Sequence, residues 1–309
     1  MLNYYETMRE YDILIIGGGP AGLTAGLYAI RNGIKVGLLA HEIGGTTNSI
    51  LKIENWPGFE GSGAELMMKM YSQLKKYPIE IINQNVESVS QDKKGFLIKL
   101  KKEEIFTKKI IIATGSERRK MGIKGEKELI GKGVSYCATC DGFFFKNKIV
   151  TVIGGSDCAA TSALALSDLA KKVVLIYRGK DLRCEKITKQ RLEKKENVEI
   201  IYEGVPSEIV GKEKVEAIKI EVNSKTQEIK TDGIFVEIGS VPSSYFAKDL
   251  GIKTNEKGEI IVNDDMKTNV PGVYAAGDVT NQKLKQVIVA SAQGAIAAKS
   301  AYEDLIKSP

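Results

Sequence analysis

The sequence is poor in several things that would have declared its class at once. It holds only four cysteines in 309 residues, Cys137, Cys140, Cys158 and Cys184, too few for a disulfide scaffold in a chain of this length. No stretch reaches the roughly 18 consecutive apolar residues that a membrane helix requires. The start, Met1 to Tyr11, carries Glu6, Arg9 and Glu10 and no apolar signal-peptide core, so a cytoplasmic protein without membrane contact is expected. Aromatic residues are only 7% and do not interleave with the lysine pairs, Lys93-Lys94, Lys101-Lys102, Lys108-Lys109 and Lys171-Lys172, which lie among glutamates. The formal charge of +6 therefore reads as solvated faces, and no nucleic-acid partner is expected.

Glycine is what the chain has in excess: 31 residues, about 10% against a typical level of roughly 7%. Tight turns, or backbone that approaches a ligand, follow from that surplus. The first clear unit is the apolar run Tyr11 to Ile16, then Gly17-Gly18-Gly19-Pro20-Ala21-Gly22, then a helical stretch to Asn32 that Gly33 stops, then a second strand from Ile34 to Ala40. Strand, turn, helix and strand make a βαβ unit. Gly17, Gly19 and Gly22 match G-x-G-x-x-G, in which the first glycine permits the turn, the second lets backbone approach a pyrophosphate, and the third packs helix on strand. The amide groups and positive dipole end of the helix would face the phosphates.

The same unit recurs from Lys148: a strand to Ile153, the turn Gly154-Gly155-Ser156-Asp157-Cys158-Ala159, a helix to Ala170, and a strand from Val173 to Tyr177. Two nucleotide-type units imply two similar domains, in line with the chain length. Ile79 to Val86, Gly95 to Leu100, Val198 to Tyr202 and Val215 to Val222 read as antiparallel strands. The runs Lys109 to Gly115 and Gly233 to Gly239 are taken as the two crossings between domains. Near the end, Thr268 to Asp278 is a short strand closing on Gly-Asp before an alanine-rich helix, where a carboxylate can accept bonds from sugar or ribitol hydroxyls. The N- and C-terminal thirds then form one discontinuous domain, 1–115 and 241–309, with 116–240 inserted. The fold class is α/β: two Rossmann-like domains of three layers (β/β/α), the second inserted in the first.

Cys137 and Cys140 have C-x-x-C spacing, which brings two sulfurs within reach of one disulfide and favours a lowered thiol pKa. A zinc reading needs a second pair or nearby histidines, and His41 is the single histidine. No metal is expected. Redox work is the favoured reading, with an inert thiol pair the alternative. Asp141 beside the pair is a candidate general acid, or else an exposed carboxylate after a turn. Cys158 is read as a small buried helix residue and Cys184 as a loop thiol.

From Tyr11 to Ile306 the chain resembles the low-molecular-weight thioredoxin reductases, on the strength of Cys137-Ala-Thr-Cys140-Asp141, Glu54-Asn-Trp-Pro-Gly58 and the Gly-Asp segment ending at Asp278. The resemblance implies a homodimeric flavoprotein with FAD in the discontinuous domain, at Gly17, Gly19, Pro20, Gly22, Glu42, Gly45, Asn55, Ala113, Asp278, Gln286 and Val287. It implies an NAD(P)-binding type of inserted domain carrying the dithiol, with Cys140 facing the flavin, Cys137 attacking the disulfide of a thioredoxin-like protein, and Asp141 managing the proton. Departures gather where NADPH would bind. Ser156 replaces the middle glycine of the second turn, Asp157 stands where a phosphate would use the helix end, and Tyr177-Arg178-Gly179-Lys180-Asp181-Leu182-Arg183 stands where the family's NADPH form has His-Arg-Arg-x-x-x-Arg. Arg178, Lys180 and Arg183 remain for a 2′-phosphate. The expected activity is FAD-dependent reduction of a thioredoxin-like protein, with NADPH, reduced ferredoxin or a deazaflavin as donor. The alternative is a FAD-bound redox sensor without turnover.

Overall fold

The computed structural model describes residues 8–50 and 52–307. The chain divides into two compact units, one of residues 1–117 with 241–309, the other of residues 118–240.

In the first unit a seven-stranded sheet runs in the order Glu80–Ile82, Val36–Ile43, Arg9–Gly18, Glu104–Ile112, Gly95–Leu100, Val86–Asp92, with Val273–Ala275 also paired to Glu104–Ile112. Arg9–Gly18 lies parallel to both its neighbours. Its apolar run is continuous because both faces are covered: Ile13 and Ile15 enter one core, Leu14 and Ile16 the other. Helix Pro20–Ile30 follows, and the C-terminal helix Val287–Lys307 packs on it so closely that a Cβ at Gly294 would lie 2.1 Å from the Ala21 carbonyl oxygen.

The second unit holds a five-stranded parallel sheet in the order Val134–Ser135, Gly233–Val236, Ile149–Ile153, Lys172–Tyr177, Val198–Tyr202, and an antiparallel meander of Val205–Val210, Ala217–Val222 and Lys225–Lys230. Here too alternate residues of one strand, Val173 and Val174, enter separate cores. The chain passes between units through Ser116–Arg118 and Ser240–Pro242, which pair as a two-stranded sheet.

Two strand directions differ from the antiparallel reading. Val198–Tyr202 pairs parallel to Lys172–Tyr177, and Glu80–Ile82 parallel to Val36–Ile43. Helices Lys186–Glu193 and Gly63–Leu74 precede them, and a strand reached through a helical crossover returns parallel. No helix among the described residues is long and apolar enough to cross a membrane.

Candidate functional site: a glycine-lined cradle and a redox disulfide

The first glycine turn is built by its own packing at two positions and not at the third. Gly17 has φ +118°, and a Cβ there would lie 2.1 Å from the Ala113 carbonyl oxygen. A Cβ on Gly22 would lie 1.8 Å from the Gly17 carbonyl oxygen. Gly19 is different: the nearest atom to a Cβ there is the Gly44 carbonyl oxygen at 4.0 Å. The protein itself leaves room for a side chain at Gly19, so the turn is open at the point where a pyrophosphate would approach. Gly19 caps helix Pro20–Ile30 without a side-chain bond, Pro20 opens the helix, and its first turn has no acidic residue, which leaves amide groups for an anion.

Of the other predicted cofactor residues, Gly45 sits against this turn. A Cβ on Gly45 would come 3.7 Å from the Gly19 Cα, and the Gly44 amide donates to the Gly18 carbonyl at 2.8 Å. Glu42, at the end of strand Val36–Ile43, accepts from Asn48 at 3.1 Å and is exposed, the usual place for an acid that binds a ribose. Asn55 donates to the Gln286 side chain at 3.0 Å, and Val287 begins the last helix. Asp278 is half-buried after Gly277, and burial pushes its carboxyl above the usual range against the pull of the Lys285 ammonium. Among the described residues no protein donor is bonded to that carboxylate. An open turn, an uncapped helix end and a half-buried acid lacking a donor fit a phosphate- and hydroxyl-bearing group such as FAD. Sequence reasoning missed Lys285, which donates to the carbonyls of Asp278 (3.1 Å) and Thr280 and pairs with Glu259 at 3.1 Å; it fixes the loop between Asp278 and Gln286.

In the second unit Cys137 and Cys140 form a disulfide, Cα to Cα 5.3 Å. The four-residue helix Ala138–Asp141 starts at Cys137, whose Sγ accepts from the Cys140 amide at 3.1 Å. Asp141 is half-buried and accepts a 2.6 Å bond from Ser135. Cys140 is exposed, and so are the neighbouring rings of Phe143 (71%) and Phe144 (70%), an aromatic pair that no core claims. No group of three or more His, Cys, Asp or Glu able to hold a metal occurs among the described residues.

The second glycine turn repeats the first position: Gly154 has φ +147°, and a Cβ there would lie 2.2 Å from the Glu237 carbonyl oxygen. Ser156 then caps helix Asp157–Ser167 with no side-chain bond. Asp157 is the acidic residue of the first turn, and its carboxylate also accepts from the Glu185 amide at 2.7 Å, which ties down the following loop. That loop also reaches the turn through the Arg183 amide, which donates to the Gly155 carbonyl at 2.7 Å. The Tyr177 ring covers Gly155 and Gly179, and the Arg183 guanidinium lies 5.8 Å from the ring centre. Arg178, Lys180 and Arg183 are all exposed. Cys158, expected to be buried, is exposed on the first helical turn, and Cys184 is a half-buried loop thiol. Glu237 is buried with its pKa raised by that burial, and it holds Arg118 at 2.8 Å and Ser162 at 2.9 Å.

Residues 11–294 match the pyridine nucleotide-disulphide oxidoreductase family. A component of the Staphylococcus aureus alkyl hydroperoxide reductase is 37% identical over 98% of this chain, and the chain spans 61% of that relative's length. A thioredoxin reductase structure from Lactococcus lactis aligns with TM-score 0.94 and 40% identity, covering 96% of this chain and 99% of that one. A ferredoxin-flavin thioredoxin reductase from Clostridium acetobutylicum aligns with TM-score 0.54 and 36% identity over 97% of this chain and 100% of that one. With the cradle and the disulfide in view, these matches carry one conclusion: the chain belongs to the pyridine nucleotide-disulphide oxidoreductase family.

Proposed function

We propose that the chain is a flavoprotein disulfide reductase that holds FAD in its first unit and reduces a thioredoxin-like protein through Cys137 and Cys140. The single observation that carries this is the Cys137–Cys140 disulfide beside Asp141, with Phe143 and Phe144 exposed next to it. Gly19, Pro20 and the amides of the first helical turn would hold the pyrophosphate, with Gly17, Gly22 and Ala113 setting the shape of that turn. Glu42 would accept from the ribose, Asp278 from the ribityl chain, and Gly45, Asn55, Gln286 and Val287 would line the remainder. FAD, when bound, supplies the electron pair that opens the disulfide.

Two electrons and two protons convert the bonded pair into two thiols. Those thiols then reduce the partner's disulfide to a dithiol and re-form their own bond, so the cycle balances. Cys137 would attack the partner, Cys140 would receive the flavin's electrons, and Asp141 would hold and return the proton. The exposed phenylalanine pair offers the partner an apolar contact. The protein works as a homodimer in the cytoplasm.

The donor is the part of this reading that bears on the second turn. Ser156 adds a side chain where a pyrophosphate must approach backbone, while Arg178, Lys180 and Arg183 remain for a 2′-phosphate. NADPH is therefore expected to be a weak donor, still better than NADH, and reduced ferredoxin or a reduced deazaflavin the faster one; the likeness to a protein described as a ferredoxin-flavin thioredoxin reductase supports that order. The test is anaerobic bleaching of the flavin band with each of the four donors, followed by reduction of a thioredoxin disulfide. Rapid bleaching by micromolar NADPH would overturn the donor assignment. A flavin that bleaches without any thioredoxin turnover would make the chain a redox sensor.

A further inference from the structure

Ser135 occupies the end of the two-residue strand Val134–Ser135 and is only 6% exposed. Its Oγ lies among three groups of the redox loop: the Cys137 amide donates to it at 3.0 Å, the Asp141 Oδ2 is 2.6 Å away, and the Cys137 carbonyl oxygen is 3.3 Å away. A hydroxyl has one proton to give and two lone pairs with which to accept. With Asp141 ionised, the proton goes to the carboxylate, because that contact is shorter and its acceptor charged. With Asp141 protonated, the acid donates to Oγ instead, and the serine proton turns to the Cys137 carbonyl. Oγ then accepts from both the Cys137 amide and the Asp141 hydroxyl. Both states leave the buried hydroxyl bonded, and neither requires the carboxyl group to move.

We infer that Ser135 is a positioning residue for proton transfer at the disulfide, its hydroxyl holding the Asp141 carboxyl in place in both protonation states and tying it to the backbone of Cys137. The inference rests on the proposed role of Asp141 in disulfide reduction. When a dithiol opens the Cys137–Cys140 bond, its thiolate attacks one sulfur, the S–S bond breaks, and the departing cysteine thiolate takes the proton of the Asp141 carboxyl. Ser135 then turns its own proton toward the new carboxylate. A second attack within the mixed disulfide completes the transfer of two electrons and leaves the reagent as a disulfide.

The test follows reduction of the disulfide by dithiothreitol in the FAD-loaded protein at fixed pH, a reaction that needs neither thioredoxin nor a flavin donor. Asp141→Asn is expected to slow it about a hundredfold, as for a lost general acid, and Ser135→Ala about fivefold. If Ser135 acts through Asp141, the double variant is no slower than Asp141→Asn within a factor of two, and Ser135→Thr, which keeps the hydroxyl, stays within twofold of the parent. Multiplication of the two single effects in the double variant, or an unchanged rate in Ser135→Ala, would overturn the inference. Should Ser135→Ala not fold, the same cycle with Ser135→Cys decides it in the same way. Failure of the parent to turn over thioredoxin, with the dithiothreitol pattern intact, would count against the proposed function alone. An unchanged rate in Asp141→Asn would remove the acid and the inference together.

Discussion

In the first unit Gly17 takes a positive φ under the Ala113 carbonyl, and in the second Gly154 does the same under the carbonyl of Glu237. From that shared start the two turns diverge. The first continues with Gly19, Pro20 and a helix lacking acid in its first turn, the second with Ser156, Asp157 and a carboxylate bonded to Glu185. At the end of the next strand the first presents the acid Glu42, and just past its own next strand the second has Gly179 between two cations. The comparison separates two reasons for a glycine. Gly17, Gly22 and Gly154 are required by the chain's own backbone, whereas Gly19 answers to something outside the chain.

Gly22→Ala should break that pattern most severely. Its new Cβ would meet the Gly17 carbonyl at 1.8 Å, and this overpacking against backbone should cost about 3 kcal/mol or more in urea unfolding, with loss of flavin. The reverse change in the second unit, Ala159→Gly, should cost only about 1 kcal/mol. Next comes Glu237→Ala, which gives the second turn the side chain that the first has at Ala113. It removes charged bonds from Arg118 and Ser162 and should cost about 2 to 3 kcal/mol by the same measurement.

Gly19→Ser sharpens the comparison without unfolding the protein. Stability of the flavin-free form should change by less than about 1 kcal/mol, while the FAD dissociation constant read by fluorescence titration rises at least about tenfold, or 1.4 kcal/mol. The reciprocal Ser156→Gly should alter stability by a few tenths of a kcal/mol and lower the NADPH concentration for half-bleaching about tenfold. Equal effects of both changes on stability and none on ligands would make the middle position ordinary turn. Asp278→Asn acts in the opposite, stabilising direction. Burial raises the Asp278 pKa, so the folded apo protein carries a penalty that grows as pH rises from the ordinary aspartate value near 4 through the raised one. The variant should be more stable than the parent at pH 7, with the gain gone below about pH 4, and should bind FAD more weakly.

Much of the architecture was legible because it is local. Residues 11 to 22 put an apolar strand, three glycines and a proline in one order that few folds use, and the copy from Lys148 repeats it. Direction was less legible: the alternation at Val198–Tyr202 marks a strand but not whether its partner runs with it or against it, which the crossover through Lys186–Glu193 decides. Contacts that join distant residues left no local trace. Lys285 on the Asp278 loop, Asp157 on the Glu185 amide and Arg118 on Glu237 are examples. Ser135 is only six residues from Asp141, yet nothing in Ser-Tyr-Cys-Ala-Thr-Cys-Asp announces that the chain folds back to bring them together. Cys158 was misjudged because a small residue in an alanine-rich helix reads as core, whereas its position faces outward while the neighbouring Ala159 and Ala160 face in.

The close seat of Gly294 on Ala21 also orders events in time. Helix Pro20–Ile30 is synthesised well before its cover, helix Val287–Lys307, with the whole of 118–240 between them. At about 5 to 20 residues per second, the ribosome needs on the order of ten seconds or more to deliver that cover after the helix has emerged. The inserted unit, by contrast, has its last sheet strand by Val236 and can close while the first still waits. Nascent chains should thus pass through a state with one finished unit and one open, apolar helix, and it is in that interval that a chaperone would meet this protein.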